Sequence, residues 1–433
     1  MMSEFDPHIN KHILNKAKDC SVYNVKEIEI EHSNKKIEAP YKVLEGKKIN
    51  KENATWLTEN IETPIFESGA YVSQYRSWNK LYYLLEEAEE TQTSGLDDFL
   101  GLRKKLWDSS LTTVSFVFAK NPFIENVFGT EEGKKSLPPL DKDSYDSLLD
   151  YIDAASKALI LSPDIRIKGR EKTITIDEYI KFVDHSIKVL SEFNKKPIFA
   201  PIQIHLSQKN LKKILMHYKK QKYTNIWVNF NANNIGGTYF SRLKTLHRLI
   251  NKIMGLENVT LYFSNIKKEI NPHIKDEKVV GSDILSPFFA ADFIGVTREP
   301  QRVIDENQDE RIKQLVMKGE FKSKEDYEES LKLHKSRILD PESYYYYKID
   351  KYPHKLNFDK NSLLDNTQLN KLLNSVIIYE EVEKTKKFVE EQKNIKPYLK
   401  NKKALNETGV IKDLPIEGSG KMPSKIYDFL GGL

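Results

Sequence analysis

Between residues 158 and 296 the chain alternates short apolar, β-rich runs with stretches of helical period. The run 158–162 reads as a strand. Residues 176–193 follow as a helix, with Ile180, Val183, Ile187 and Leu190 spaced by three and four. Segment 197–204 is again strand-like. Residues 206–220 form the next helix, with Ser207 in the N-cap position. Strand 225–230, helix 239–254, strand 259–263 and strand 291–296 complete the series. This rhythm predicts parallel βαβ units, which close into a barrel or spread into an open doubly wound sheet. An open dinucleotide-binding sheet carries a glycine fingerprint after its first strand, and none is present here. Polar residues instead end the predicted strands: Glu67, Asp164, Gln203 with His205, Asn229 with Asn231, and Asp292. Barrel enzymes carry their chemistry at C-terminal strand ends, so the expected fold is an α/β, TIM-like (β/α)8 barrel.

With 433 residues, 39% of them hydrophobic, the chain is long enough for such a barrel with extensions. The expected organisation is an N-terminal extension (1–24), a barrel with insertions (25–400) and a Lys-, Gly- and Pro-rich, loosely held tail (401–433). Segment 305–355 is highly charged, 344–347 is a strand or an aromatic knot, and 366–392 is a helix. Lys and Arg outnumber Asp and Glu by 68 to 63. A formal charge of +5 permits a nucleic-acid partner through local patches, but on charge alone a Lys-rich genome is the first explanation. Cys20 is the one cysteine, which excludes an intramolecular disulfide and a cysteine zinc cluster. Residues 1–18 lack a secretory-type apolar core. No run approaches the roughly 18–20 apolar residues of a membrane span. A soluble cytoplasmic protein is expected.

Four segments carry candidate chemistry. In 63–71, a strand at Ile65–Phe66 leads to Glu67 and a tight turn at Ser68, Gly69 and Ala70, where small residues admit a ligand close to the backbone. Asp164 ends an apolar run, and Gln203 ends a strand that otherwise reads as buried. Asp292 sits in the almost wholly apolar run that begins at Phe288. Each strand-end acid also has an ordinary role as a helix N-cap, and Gln203 as a satisfied polar residue. Asp292 fits an ordinary role least, because a buried carboxylate must be paired or hold its proton.

The order and spacing of these segments resemble the tRNA-guanine transglycosylase superfamily across residues 25–400. Glu67-Ser68-Gly69-Ala70-Tyr71 stands where the family reads Asp-Ser-Gly-Gly-Phe-Gln. Asp164 matches its purine-binding acid and Ile202-Gln203 its base-contacting Ile-Gln. Gly236-Gly237 is a looser match to its double glycine. Asp292 through Thr297-Arg298 matches the nucleophile segment in its Asp and Thr-Arg spacing. Segment 28–40 resembles the opening hairpin, and 369–387 the last barrel helix.

The resemblance implies a covalent Asp292–sugar ester, with Glu67 moving protons on the leaving and incoming bases. Asp164, Gln203, Ser68, Gly69, Gly236 and Gly237 would contact the base, with Tyr71 or Phe230 sandwiching it. It implies no cofactor, and with a single cysteine the zinc site usual in the family is not expected here. This chain departs from the family in placing glutamate at position 67 and in lacking the cysteines of the zinc site. Those departures make it most similar to the DNA-modifying, DpdA-type branch of phages and archaeal viruses, which inserts preQ0 or another 7-deazaguanine. DNA is therefore the expected partner, with the free base as co-substrate. A tRNA substrate and a catalytically inactive nucleic-acid-binding barrel are the alternatives. Arg298 and Arg302, with Lys212 and Lys213, are the candidate phosphate contacts. A homodimer or a partner protein is left open.

Overall fold

A computed structural model describes residues 9–416, apart from 48, 50–56, 58–60, 62–63, 87–88, 103–110, 131–132, 168–173, 194–195, 301–307 and 357. The chain opens with an antiparallel sheet of β1 (Ile9–Lys16), β2 (Asn24–Ile30) and β3 (Lys35–Ala39). The β2–β3 hairpin spans most of segment 28–40. Because β1 pairs with β2, residues 9–24 are part of this sheet and not a separate extension.

Two short strands follow, β4 (Tyr41–Lys42) and β5 (Leu44–Glu45), and then β6 (Ile65–Val72) and β7 (Leu111–Phe118). The hairpin β8 (Asn126–Thr130) and β9 (Gly133–Leu137) precedes β10 (Ile160–Leu161), β11 (Asp164–Ile165), β12 (Ile198–Gln203), β13 (Asn225–Asn229) and β14 (Thr260–Ser264). Next come β15 (Lys278–Val280) and β16 (Phe293–Ile294). Strands β17 (Ile338–Asp340) and β18 (Tyr345–Tyr347) form an antiparallel sheet with β15. Tyr345–Tyr347 is thus a strand. Parallel pairing gives a six-stranded sheet in the order β10-β12-β13-β14-β16-β4 and a four-stranded sheet in the order β11-β7-β6-β5.

The strands alternate between two apolar faces. Phe66, Val114, Phe116, Ile198, Ala200, Ile202, Ile226, Val228, Leu261, Phe263 and Ile294 belong to an outer core. It is shared with helices α1 (Tyr75–Glu86), α2 (Glu89–Leu100), α3 (Lys142–Ala155), α4 (Ile176–Phe193), α5 (Gln208–Gln221) and α6 (Thr238–Ile253). Val43, Ile65, Leu161, Phe199, Trp227, Tyr262 and Phe293 form an inner core with Ile28, Ile30 and Ile37. Both faces of the parallel strands are therefore buried, which is why their sequences read as nearly continuous apolar runs. Residues from β2 and β3 in the inner core show that the first sheet plugs one end of the parallel strands.

Helices α4 and α5 form where the apolar spacing predicts, and Ser207 caps α5 by accepting from Asn210 N. The charged segment after β16 contributes α7 (Gln308–Met317) and α8 (Lys324–Lys335). After α9 (Lys360–Asp365), the long α10 (Thr367–Gln392) packs on β4, β5 and β17. The tail is not loose as far as residue 416: Leu405, Leu414 and Ile416 are buried, and Ile416 bridges to Cys20. Among the described residues no helix is long and apolar enough to cross a membrane.

Two strand expectations are corrected. The Ile65 strand does not stop at Glu67; it runs eight residues to Val72, so Glu67, Ser68 and Gly69 lie within it and form no turn. At 291–296 only Phe293–Ile294 is paired as a strand, so Asp292 precedes it.

Candidate functional site

Asp164, Gln203 and Asn229 lie at or beside the C-terminal ends of their strands and are fully buried. Asp164 Oδ1 accepts from Tyr179 OH (2.9 Å) and Gln203 Nε2 (2.8 Å), and its Oδ2 from Asn229 Nδ2 (2.7 Å). Gln203 also donates to Ile165 O (2.6 Å) and accepts from Ile167 N (3.0 Å). Asn229 Oδ1 accepts from Asn231 N (3.0 Å) and Asn265 Nδ2 (3.1 Å). Burial raises the pKa of Asp164, and the bonds from Gln203, Asn229 and Tyr179 oppose the rise. The structure thus brings Asp164 and Gln203 together. Tyr179 and Asn265 escaped the sequence reading. Tyr179 sits four residues before Val183 on the apolar face of α4, and its hydroxyl has no local signature.

Glu67 points to the inner face. Its Oε1 accepts from Ser115 Oγ (2.9 Å), and its Oε2 from Tyr262 OH (2.7 Å) and Val296 N (2.9 Å). Burial raises its pKa against these three donors, and the neighbouring Glu45 adds to the rise. Two glycines make the room. A Cβ on Gly69 would stand 2.9 Å from Ser115 Oγ, and one on Gly295 would stand 2.3 Å from Glu67 Oε2.

Other predicted site residues lie elsewhere. Ser68 faces outward and donates to Leu100 O (2.7 Å), so it cannot contact a base on the inner face. Phe230 belongs to the outer core, where it packs on Phe263. Gly236 packs on Ile270, while Gly237, with φ +53°, is the N-cap of α6; both follow β13 on the side of its C-terminal end. Lys212 and Lys213 are exposed on α5, and Lys213 pairs with Asp177 at 2.6 Å. Arg302 falls outside the described residues.

Asp292 is also corrected. It precedes β16, at the opposite strand end from Asp164 and Gln203. Its Oδ1 is 2.5 Å from Lys26 Nζ on β2, and its Oδ2 accepts from Leu261 N (2.9 Å). With both oxygens engaged and only 3% of the residue exposed, it locks the plug sheet to the parallel strands. The spacing to Thr297-Arg298 matched the family, but the short strand begins after Asp292 and puts Gly295 on the inner face.

A cationic rim lies beyond the C-terminal ends. Tyr71 on β6 is in register with Val117, and Val117 with Asp164. The Arg298 guanidinium lies over the Tyr71 ring, 3.2 Å from its centroid, and Arg166 Nη1 donates to Tyr71 OH (3.1 Å). Arg242 donates to His205 O and approaches the Tyr239 ring at 5.4 Å. Burial, with Arg166 nearby, lowers the Arg298 pKa to about 10. Burial lowers that of His205 too, reinforced by Arg166 and Arg242 and opposed by the bond to Ile167 O. Away from this rim, Asp340, Glu342 and His354 each bring one ligand atom within 4.8 Å of the others, with Glu342 and His354 exposed. Their charges serve local bonds, such as Asp340 to Glu342 N, and give no independent sign of an ion.

No protein-family model matches the sequence, and no curated protein matches it. Among solved structures, a modular endo-β-1,4-mannanase from Cellulomonas fimi is 8% identical over 59% of this chain and 64% of its own, with a TM-score of 0.34. A morphinone reductase mutant is 7% identical over 51% of this chain and 74% of its own, with a TM-score of 0.28. The carboxyl transferase domain of Rhizobium etli pyruvate carboxylase is 8% identical over 88% of this chain and 56% of its own, with a TM-score of 0.31.

Proposed function

We propose that the two parallel sheets make one closed (β/α)8 barrel whose C-terminal mouth takes a guanine nucleotide of a nucleic acid. Closure is supported by two split strands. Only Val43 separates β4, paired with β16, from β5, paired with β6. Only Ser162 and Pro163 separate β10, paired with β12, from β11, paired with β7. Each pair counts as one strand shared between the sheets, giving eight in a ring.

The observation that carries the functional proposal is a buried acid–amide pair, Asp164–Gln203, at the same strand ends as Tyr71 and its two arginines, with Val117 in register between Asp164 and Tyr71. A carboxylate suits the N1–H and exocyclic amine of guanine, both donors. An aromatic face suits the ring plane, and arginines suit phosphate. By the family resemblance, the reaction is exchange of guanine for a 7-deazaguanine, in DNA before tRNA. By the resemblance, Glu67 is the candidate that moves protons on the leaving and incoming bases, and one of its bonds to Ser115, Tyr262 or Val296 N would have to open for it to do so. A guanine in duplex DNA would have to be flipped out, at about a few kcal/mol.

The test is incubation of the purified chain with guanine-labelled duplex DNA or tRNA and preQ0, followed by mass spectrometry of nucleosides. A 7-deaza-deoxyguanosine from DNA, lost in Asp164→Asn, is the expected result; product from tRNA alone would move the substrate. The second reading, a barrel that binds without exchanging, is favoured by the ion pair that holds Asp292 away from the mouth. Retained nucleic-acid binding with no product from either substrate would establish it.

A further inference from the structure

Among the described residues, no carboxylate pairs with Arg166, Arg242 or Arg298, although all three are only partly exposed. Arg166 and Arg298 share one tyrosine: the first donates to the Tyr71 hydroxyl, and the second covers its ring. Two like charges on one side chain, partly withdrawn from water, repel each other more than they would in bulk solvent. The third arginine is tied to the backbone of His205, whose imidazole is engaged by Ile167 O (2.6 Å).

An independent observation lies at the same strand ends. Gln203 is in register with Asn229 at the last paired position of β12 and β13, and Asn231 follows two residues later, its backbone N–H bonded to Asn229 Oδ1. Asn231 holds a left-handed backbone (φ 49°) and is 9% exposed. Neither its side-chain oxygen nor its nitrogen has a partner. A buried amide with both ends unused is a costly arrangement unless something else completes it.

We propose that Arg166, Arg242 and Asn231 form a subsite for the phosphate of a purine nucleotide, and that Arg298 occupies the base's place on Tyr71 until the ligand arrives. The incoming purine displaces the guanidinium from the ring, and the freed arginine swings to the phosphate beside Arg166. The guanidinium is planar and cationic, so it mimics the stacking of a flat base while it also guards the acceptor site for an anion. The purine half of this proposal rests on the function proposed above; the phosphate half does not.

Calorimetric titration of the full chain with guanosine, GMP, ribose 5-phosphate and a short single-stranded DNA oligomer tests it. The wild-type chain is expected to bind GMP about tenfold or more tighter than guanosine, as charge-assisted contacts to phosphate require. Arg166→Ala should erase that difference. Arg298→Ala should act with opposite signs: guanosine binds severalfold tighter on the vacated ring, while GMP binds more weakly. Thermal unfolding of both variants reports whether the fold is intact.

If Arg298→Ala leaves both ligands unchanged or weakens both alike, the displacement is wrong. Equal binding of guanosine and GMP would overturn the phosphate subsite while leaving the purine reading standing. Ribose 5-phosphate bound through Arg166 with no guanosine binding would keep the subsite and sink the purine reading. No binding of any of the four ligands overturns both. Tighter binding of the oligomer than of GMP assigns the phosphate to a nucleic-acid backbone, and the reverse assigns it to a free nucleotide.

Discussion

Lys26 and Asp292 meet at 2.5 Å although 266 residues separate them. Removing one partner of such a buried pair leaves an uncompensated charge and costs about 3–5 kcal/mol. Lys26→Met should therefore lower the unfolding free energy by that amount, seen as a fall in the urea midpoint, and adding Asp292→Leu should restore most of it. An unchanged midpoint in the single variant would show that the pair does not hold the plug. The same geometry governs the interpretation of Asp292→Asn: loss of activity in that variant says nothing of a nucleophile unless its stability is measured alongside. That Asp292 needs a partner is legible in the sequence, since it sits in an apolar run. The identity of the partner is not, because no local pattern links β2 to the residue before β16. Asp164 and Gln203 were legible as polar ends of apolar runs. Tyr179, which holds Asp164 from a helix, reads as one more apolar-face residue.

Strand β6 shows why an element can outrun its sequence signal. Glu-Ser-Gly-Ala looks like a terminus followed by a turn. Yet β5 and β7 flank this strand on both edges, and the ladder to β7 continues from Ile65 to Val72. Tertiary pairing overrides the weak strand propensity of glycine and serine. The helices needed no such help: α4 and α5 are amphipathic, and α10, though it buries polar residues such as Asn374 and Glu381 as well, also appears where its apolar residues put it. Across the inner face, Gly295 is the matching element-level constraint. A Cβ there would lie 2.3 Å from Glu67 Oε2 and 2.6 Å from both Ser264 Cβ and Tyr262 Cε1. Gly295→Ala should destabilise the fold by about 1–3 kcal/mol, the usual cost of overpacking, and disturb the Glu67 bonds. Thermal unfolding checks the first effect. A wild-type melting temperature would mean that the inner face can yield.

At the scale of the whole molecule, the α/β class is written in the alternation of runs, while the way the two sheets meet is not. The joining strands are two residues long, and Lys42 and Glu45 break their apolar pattern. Lys42 is fully buried, its ammonium bonded to Gly295 O at 2.5 Å, an arrangement only the fold can supply. The plug sheet is integral on the same grounds, since its Ile28, Ile30 and Ile37 complete the inner core. A chain lacking residues 1–39 should lose cooperative thermal unfolding and bind a hydrophobic dye; a truncated chain that melts like the full one would show the plug to be dispensable. The two ends of the parallel strands carry different burdens. The N-terminal end holds the Lys26–Asp292 lock, and the C-terminal end holds the arginines and the Asp164 cluster. A lineage descended from this chain can therefore rewrite what it recognises without renegotiating how it folds, because the letters that spell the one are not those that spell the other.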